Sequence, residues 1–569
     1  MSSAVCSDRG DGPSLDSTPR PPPAWQRLPI VPLGLVGALL AFCLFEPVRS
    51  NERLAWSFWI AGAGLGLWTL ILWARLRSAG RSLRIEPLAP LKSHYIQASV
   101  QTCIYVYWGW YWGAVYSQVP LILSQLVFLY AFDGLLSWSR GRSWKLGCGP
   151  LPIILSTNVF LWFKEDWFLF QFLLVAVGAL GKEFIKWQRN GRVTHVFNPS
   201  SFTLALFALV LIATDTSDAT YVGRIADTFA QPPQIYVVIF VLGLVVQFFF
   251  STTLMTCSAV AMLCLLNWIY KSSTGTYFFV FTNIPAPVFL GLHLLVTDPA
   301  TSPRTSSGKV IFGALYGLGA FVCYGLLTAI GAPTVYDKLL PVPILNLSVR
   351  WIDRVAQWGW LGAFDRWGAA LQPRRLNLLS MGGWAAFFMV LVSVGYVQGQ
   401  QEGSSFQFWQ QACLEGRPGA TRGLLAVLKS NAAEGDGAAM NELGMVYLEG
   451  QFVEQDYESA LKYFARSCKM GNLAGAANVA TLYLRSPGAS SSTVVDMAFD
   501  QLEAACSAGA EGAVLFLVGS AYESGRGRPR DPQRALAFYN QGCERGSSDS
   551  CSSVVRLLTG RTPVFEASK

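Results

Sequence analysis

Long apolar segments without charged residues recur through the first 400 residues of this 569-residue chain. A helix of about 20 apolar residues crosses the ~30 Å hydrocarbon core of a bilayer. Lipid offers no partner to a free backbone N–H or C=O group, so such segments have to be helical. The segments are 28–45, 55–74, 99–116, 118–132, 150–163, 167–181, 200–214, 234–250, 252–270, 284–297, 310–331 and 376–397. The pattern predicts an all-α, polytopic transmembrane domain with about 11–13 crossings, in which the runs of about 14 residues are half-helices, re-entrant segments or buried segments as alternatives to full spans.

The distribution of charge separates the chain into two parts. Charged residues make up 14% of the sequence, against roughly a quarter in typical soluble domains. That deficit argues against a purely soluble enzyme, a disordered protein and a nucleic-acid-binding protein. Residues 1–400 carry 28 Lys and Arg against 17 Asp and Glu, whereas residues 401–569 carry 15 against 18. We therefore expect two chemically different parts joined near residue 400, with the lipid bilayer around the first.

The orientation in the membrane follows from the basic loops, because short loops rich in Lys and Arg prefer the cytoplasm. Five basic groups alternate with loops that have few or balanced charges; they lie within 75–92, 140–145, 182–192, 304–309 and 350–375. This alternation predicts a cytoplasmic N-terminus and a C-terminal part on the periplasmic side of a bacterial inner membrane. Residues 1–27, which are rich in Pro and Ser, are expected to form a disordered cytoplasmic tail.

Two loops place Asn or Asp before Pro, with small hydroxyl residues following. One contains Asn198-Pro199 and the other Asp298-Pro299, the latter followed by Thr301, Arg304 and Thr305. Asn and Asp are preferred N-caps, and Pro is favoured at the first helical position. Both segments are therefore predicted to cap helix starts. They either serve only as caps or form one polar site, since helix N-termini suit anions and broken membrane helices often mark binding sites.

Few residues in the first part have a spacing typical of metal or cofactor sites. None of the three histidines, His94, His195 and His293, is paired with another at i,i+3 or i,i+4, so a bis-histidine haem or a zinc site from one helix is not supported. The cysteines there are scattered, without the four thiolates of an iron–sulfur cluster. A polar loop, Ser217 to Thr220, precedes Pro232-Pro233 on the predicted outer side.

The strings "HVFNPSSF" and "VTDPATSPRTSSGKVIFGALYGLG" resemble the D subunit of Rnf electron-transport complexes and the B subunit of sodium-translocating NADH:quinone reductases. The similarity to this RnfD/NqrB-like family covers about residues 190–355, including "PILNLSVRWID". It is closer still to a branch of RnfD-like membrane proteins of which some are encoded with enediyne biosynthesis, through "LGLHLLVTDPATSPRT" and the YDKLL string.

This resemblance implies a multi-helix redox subunit that bears FMN. The family attaches FMN by a phosphoester to the Thr of a motif between its F-N-P and T-D-P segments. Ser217 to Thr220 fits that motif, which makes Thr220 the implied attachment residue. Tyr221-Val222 stands where the family continues with Pro-Leu. The implied cofactor-binding residues are Thr220, Ser217, Asn198, Asp298, Thr301 and Arg304.

The C-terminal part contains a pattern that recurs four times, Cys-x-x-Gly, each time after an amphipathic segment. The four copies begin at Cys413, Cys468, Cys506 and Cys543. A period of 36–39 residues with paired helices predicts an α-solenoid, in which each repeat completes the core of its neighbour. The predicted domains are therefore the tail 1–27, the membrane domain 28–398 and the repeat domain 399–569.

The strings "ELGMVYLEGQFVEQDYESALKYFARSCKMGN" and "GSAYESGRGRPRDPQRALAFYNQGCERGSSDSC" resemble Sel1-like repeats, which are relatives of tetratricopeptide repeats. Cysteine-rich members of that family often close a C-x7-C disulfide within a repeat. Only Cys543 and Cys551 have that spacing here. The resemblance implies a disulfide between them, which needs an oxidising compartment; two free thiols are the alternative.

Three functions are compatible with these features. The first is a membrane electron-transfer subunit with FMN, which binds other membrane or periplasmic subunits through its repeats. The second is a transporter or permease-like protein, because broken helices at membrane depth also suit the passage of small molecules. The third is a redox-inert membrane scaffold that recruits partners through the repeats.

Overall fold

The computed structural model describes residues 29–80, 83–141, 143–189, 191–370, 373–397, 401–485 and 492–560. The predicted tail 1–27 lies outside the described residues. The chain divides into two compact units, Met1–Leu266 with Ile284–Ser393 and Asn267–Asn283 with Val394–Lys569. The second unit therefore includes a segment of the predicted membrane domain, which the sequence did not indicate.

The first unit is helical. Its helices are α1 (Ile30–Ala41), α2 (Glu46–Arg49), α3 (Glu52–Ser78), α4 (Lys92–Tyr111), α5 (Ala114–Ser117), α6 (Val119–Gly141), α7 (Pro150–Asn158), α8 (Phe168–Phe184), α9 (Pro199–Ala213), α10 (Val222–Phe229), α11 (Ile235–Phe250), α12 (Thr253–Thr274), which ends in the second unit, α13 (Ala286–Leu294), α14 (Ser306–Ala329), α15 (Pro341–Val355), α16 (Gly359–Ala370) and α17 (Pro373–Ser393).

Three of the predicted basic loops contain short strands instead of irregular backbone. Strand β1 (Arg84–Pro87) pairs in parallel with β2 (Ser143–Leu146). Strand β3 (Lys186–Arg189) pairs antiparallel with β4 (Arg192–His195), so that Lys186 lies opposite His195. Gly191 permits the tight turn of this hairpin with a φ of +74°. The hairpin leads from α8 directly to the start of α9.

Six helical segments within the described residues are long and apolar enough to cross a membrane. They are Glu52–Ser78, Ala114–Gly141, Glu165–Phe184, Thr253–Thr274, Ser306–Ala329 and Arg374–Ser393. Three shorter apolar helices, Ile30–Leu44, Pro199–Ala213 and Ile235–Phe250, are 10–17 residues long. The count is lower than the 11–13 predicted crossings, because several apolar runs fold as helices too short to span. For example, α7 and α13 have nine residues each, which is about 14 Å of helix.

The second unit consists of helix pairs that repeat along the chain. After the end of α12 its helices are α18 (Phe406–Leu414), α19 (Ala420–Ala433), α20 (Gly437–Glu449), α21 (Tyr457–Lys469), α22 (Leu473–Arg485), α23 (Ser492–Ser507), α24 (Gly512–Ser524), α25 (Pro532–Glu544) and α26 (Ser548–Thr559).

Two repeats place the same residue types at the same contacts. A Cβ atom on Gly444 would lie 2.5 Å from the Phe464 ring, and one on Gly519 would lie 2.7 Å from the Tyr539 ring. Side chains larger than hydrogen do not fit there, so the paired helices pack closely. Asp456 caps α21, with its carboxylate accepting from the N–H groups of residues 458 and 459, and Asp531 caps α25 in the same way.

The loop between α12 and α13 contributes to the core of the first repeats. Tyr277 and Val280 are buried in one hydrophobic cluster with Trp409 and the apolar faces of α19 and α20. Gln401 Nε2 donates to the carbonyl groups of Phe279 and Val280 at 2.8 and 2.6 Å. This loop thus forms the N-terminal cap of the repeat core within the second unit.

Removing the ring of Tyr277 is expected to destabilise the repeats. The ring is 8% exposed and lies 5.3 Å from the Phe408 ring between centroids. Truncation of a buried aromatic side chain typically costs about 3–5 kcal/mol. Tyr277→Ala should lower the temperature at which residues 401–560 become susceptible to limited proteolysis, whereas Tyr277→Phe should change it little. Equal resistance in Tyr277→Ala and the wild type would contradict a capping role.

Candidate functional site

Asn198 caps the start of α9, as predicted. Its side-chain oxygen accepts from the N–H groups of Ser200 and Ser201 at 3.1 and 3.4 Å, and Pro199 occupies the first helical position. The side-chain Nδ2 donates to the carbonyl of Leu295 at 3.1 Å. Because Asn198 is 6% exposed, these bonds satisfy a buried amide and tie the start of α9 to the end of α13.

Asp298 does not cap a helix, and that prediction is wrong. Its carboxylate accepts from the N–H of Ala300 at 3.0 Å and from the hydroxyl of Thr301 at 3.1 Å, which forms a local turn. A helix that began at Pro299 would meet Pro303 four residues later, where proline lacks the N–H and its ring clashes with the preceding turn. The helix begins instead at Ser306, with Thr305 as its N-cap.

Asn346 on α15 joins the two Asx-Pro segments. Its Oδ1 accepts from the backbone N–H of Asn198 at 3.1 Å. Its Nδ2 donates to the carbonyl of Thr301 at 3.3 Å. Asn346 is 1% exposed, so one buried amide holds both segments against α15.

An ion pair between a buried arginine and a half-buried aspartate holds the other end of the same turn. Arg189 at the end of β3 donates to Asp353 Oδ2 at 2.6 Å and to the carbonyl of Ser302 at 2.9 Å. The other carboxylate oxygen of Asp353 accepts from the backbone N–H of Arg304 at 3.3 Å. The Arg189 side chain is 6% exposed. The predicted site residue Arg304 is exposed and joins this arrangement through its backbone.

Ionisable side chains gather near Asp298. His195 Nε2 lies 3.7 Å from Asp298 Oδ2. Burial tends to raise the pKa of Asp298, but the contacts with His195, Ala300 and Thr301 outweigh it and hold that pKa below its ordinary value. Burial and the charge of Lys182 lower the pKa of His94, which Asp298 partly opposes. Because its pKa is lowered, the carboxylate of Asp298 is ionised at neutral pH.

His94 and Lys182 meet over the first turn of α7. A Cβ atom on Gly149 would lie 3.2 Å from Lys182 Nζ and 3.7 Å from His94 Cε1. The group therefore combines a primary ammonium, two imidazoles and a carboxylate from four separate segments. Such a set can bind a charged ligand and exchange protons with it.

Ser217 and Thr220 lie away from this cluster, at the opposite end of α9. The hydroxyl of Ser217 accepts from Tyr336 at 3.1 Å, and Tyr336 follows the C-terminal end of α14. The cluster lies at the N-terminal end of α14, whose 24 residues span about 36 Å. The structure therefore brings Asn198, Asp298 and Thr301 together, and leaves Thr220 and Ser217 separate.

The surroundings of Thr220 do not fit a phosphoester-linked flavin. Thr220 is 5% exposed, and its hydroxyl donates to the carbonyl of Ser217 at 2.7 Å and accepts from the N–H of Val222 at 3.4 Å. The backbone of Thr220 also pairs with Phe163. A phosphoester at this oxygen would remove the donated bond and would have to displace its neighbours. Covalent FMN at Thr220 stays a prediction that these contacts do not favour.

The roles of Arg189, Asn346 and Asp353 do not follow from the sequence patterns above. In the sequence, Arg189 is one of the loop charges that indicate the orientation in the membrane. A signal for the other two was present: they are seven residues apart, which places them on one face of a helix. Lys182 carried no signal, because its partners come from other segments.

The repeat domain contains the disulfide that its resemblance implied. Cys543 on α25 and Cys551 on α26 are bonded, with their Cα atoms 4.6 Å apart. Cys468 and Cys506, at equivalent places in earlier repeats, are buried free thiols. The disulfide links the last helix pair of the solenoid.

Comparison with known proteins identifies the repeats. The family model of the Sel1 repeat matches residues 437–472 and 513–547. A Sel1 repeat protein from Oxalobacter formigenes is 26% identical, over 23% of this chain and 96% of that chain, with a TM-score of 0.19. The protective antigen c5321 of uropathogenic Escherichia coli, which displays an SLR fold, is 15% identical over 63% of this chain and 79% of that chain, with a TM-score of 0.22. No curated protein matches the chain. From the family model, the C-terminal region contains Sel1 repeats.

Substitution of Asp298 should change how stability depends on pH. Because its folded pKa is lowered, the ionised carboxylate stabilises the protein above its unfolded pKa of about 3.9, and this contribution disappears as the pH falls through the folded value. Asp298→Asn should lower the free energy of unfolding at pH 7, and the difference should disappear as the pH falls through the folded pKa of Asp298. Intrinsic fluorescence during thermal unfolding in detergent measures this. Asp218→Asn, at an exposed position, is the control, and a difference independent of pH would contradict the prediction.

Proposed function

We propose that this protein is an integral membrane scaffold that holds partner proteins at the membrane through its Sel1 repeats. Six helical segments are candidate membrane spans, and Sel1 repeats generally mediate contacts between proteins. The observation that carries the proposal is the core shared by Tyr277, Val280 and the first repeats. The chain that leaves the candidate span Thr253–Thr274 is therefore itself part of the repeat core, so the repeats are joined directly to that span.

The same packing limits the membrane topology. The loop that begins after Thr274 follows a candidate span, Thr253–Thr274, and its residues lie in the repeat core. The loop and the repeats therefore have to be on one side of the membrane. Residues 271–283 contain one basic residue, Lys271, whereas residues 75–92 contain five. The small number of basic residues in 271–283 supports placing this loop and the repeats on the periplasmic side of an inner membrane. A disulfide between Cys543 and Cys551 can form there.

Exposed apolar side chains on the repeats offer surfaces for a partner. Leu414, Tyr457 and Met470 are 67%, 59% and 57% exposed. Aromatic residues and Met are enriched at the centres of protein interfaces. Tyr457 begins α21, and Met470 follows its last turn, so the two mark opposite ends of one repeat helix.

Topology reporters test on which side of the membrane the repeats lie. Alkaline phosphatase fused after Gly560 should be active in intact cells, and green fluorescent protein at the same position should be dark, because the first folds outside the cytoplasm and the second inside. Fusion at Gly560 leaves α26 complete. The opposite pattern would place the repeats in the cytoplasm and contradict the proposed location.

Photo-cross-linking in cells tests the scaffold function. A photoreactive phenylalanine analogue in place of Tyr457 or Met470 should give a discrete adduct with a partner protein, at native expression level. The matched control is Trp56, which is 57% exposed on the candidate span Glu52–Ser78 and should react with lipid. The absence of an adduct from both repeat positions would contradict recruitment through this repeat.

A redox subunit similar to the RnfD/NqrB family is the second candidate. It is favoured by the way Asn346 joins the F-N-P and T-D-P segments, which are the strings that carry the resemblance. The visible absorption spectrum of the purified protein distinguishes the two functions. Flavin absorption would favour the redox subunit, and a colourless protein would favour the scaffold. Transport of small molecules, the third function, would show as uptake by vesicles that contain the protein.

A further inference from the structure

A cavity of about 360 Å³ lies in the second unit, between the end of α12 and the chain that follows α17. Small-molecule sites usually have volumes of about 300–1,000 Å³, so the cavity is large enough for a polar headgroup. Asn267 and Lys271 line it from α12, and Gln401 and Glu402 from the chain before α18.

Two buried carbonyl oxygens in its lining residues have no hydrogen-bond partner among the described residues, Asn267 Oδ1 and Gln401 Oε1. The residues are 7% and 9% exposed. Their amide orientation is determined by their other contacts: Asn267 Nδ2 donates to the carbonyl of Asn283 at 2.5 Å, and Gln401 Nε2 donates to two backbone carbonyls. Because a carbonyl oxygen only accepts, both orphaned atoms are acceptors, and each of them lacks a donor.

Opposite charges line the same cavity. Lys271 Nζ donates to the hydroxyl of Tyr277 at 2.6 Å, and that hydroxyl donates to Glu402 Oε2 at 3.1 Å. The ammonium group of Lys271 has two further N–H groups that can donate. The second carboxylate oxygen of Glu402, Oε1, takes no part in these two hydrogen bonds. A ligand with an N–H-bearing cation at one end and an anion at the other could place the cation next to Glu402 and the anion next to Lys271.

The aromatic side chains favour an organic cation over a bare metal ion. Trp268, Tyr277 and Phe278 line the cavity, and aromatic faces attract organic ammonium groups. A metal ion would need several oxygen ligands at about 2.0–2.6 Å, and the part of the chain that the structure describes contains no group of three or more His, Cys, Asp or Glu side chains that could hold one. A primary ammonium can instead donate its three N–H groups to Asn267, Gln401 and Glu402.

The cavity also lies where two candidate spans end. Thr253–Thr274 contains Asn267, Trp268 and Lys271, and Arg374–Ser393 ends just before the lining residue Val394. Trp268 is 66% exposed, as is typical of Trp at a membrane–water interface. We infer that this cavity binds a phosphoethanolamine group, the headgroup of phosphatidylethanolamine, with the ammonium on Glu402, Asn267 and Gln401 and the phosphate on Lys271.

Lipid selectivity in nanodiscs tests this assignment. The full-length protein is purified from an equal mixture of phosphatidylethanolamine and phosphatidylcholine, and the retained lipids are counted by native mass spectrometry. Choline carries no N–H group, so wild-type protein should retain phosphatidylethanolamine roughly tenfold over phosphatidylcholine. Glu402→Gln keeps the shape and an acceptor for Tyr277, yet should reduce the ratio to near one. Lys271→Gln should reduce retention of both lipids, because both carry the phosphate.

The controls separate binding from folding and identify the source of the headgroup. Glu449→Gln, at an exposed position on the repeats, should keep the wild-type ratio, and each variant should keep the wild-type unfolding temperature. Saturable binding of free phosphoethanolamine that Glu402→Gln abolishes would support the site with a soluble ligand, and selective retention of the lipid alone would support the membrane ligand. A wild-type ratio of one without binding of free phosphoethanolamine, or an unchanged ratio in folded Glu402→Gln, would overturn the inference.

Discussion

Hydrocarbon supplies no hydrogen-bond partner for a peptide group, so a break between apolar helices is stable in a membrane only where the protein itself supplies the partners. The breaks before α9 and α14 show how this is done. Asn198 accepts from the first N–H groups of α9 and donates to the end of α13. Thr305 caps α14. Asn346 then bonds both segments to α15. Short polar side chains before and within apolar helices therefore determine how the helices of the first unit are joined to one another.

The second unit is stabilised by a different principle, the stacking of helix pairs that cannot bury their apolar faces alone. Its glycines permit close approach of neighbouring helices, as at Gly444 and Gly519. A stack of this kind needs a cap at each end. At the N-terminal end the cap is the α12–α13 loop, which buries Tyr277 and Val280. Towards the C-terminus, the last helix pair that the structure describes is cross-linked by Cys543 and Cys551.

Local patterns in the sequence predicted several of these features. The Asn-Pro pair before an apolar run predicted the cap at Asn198, because capping depends on residues two or three positions apart. The recurring Cys-x-x-Gly predicted the helix pairs of the repeats, because each copy follows an amphipathic segment at a regular spacing. Asp298 carried an equally strong local signal, but Pro303 excludes the helix that Asp298 would have capped. The apolar run 150–163 is short for a membrane span, and its helix is shorter still, because it ends at Asn158.

The sequence by itself determined that the chain is helical, that its first part is apolar enough for a membrane and that its last part repeats. Each of these depends on the spacing of residue types within one or two helices. Only the tertiary structure decided which distant groups meet: Arg189 with Asp353, Asn346 with Asn198, and Lys271 with Glu402 through Tyr277. These contacts join residues that are more than 100 positions apart. Their pairing follows from how the helices pack, and the local sequence of either partner carries no record of that packing.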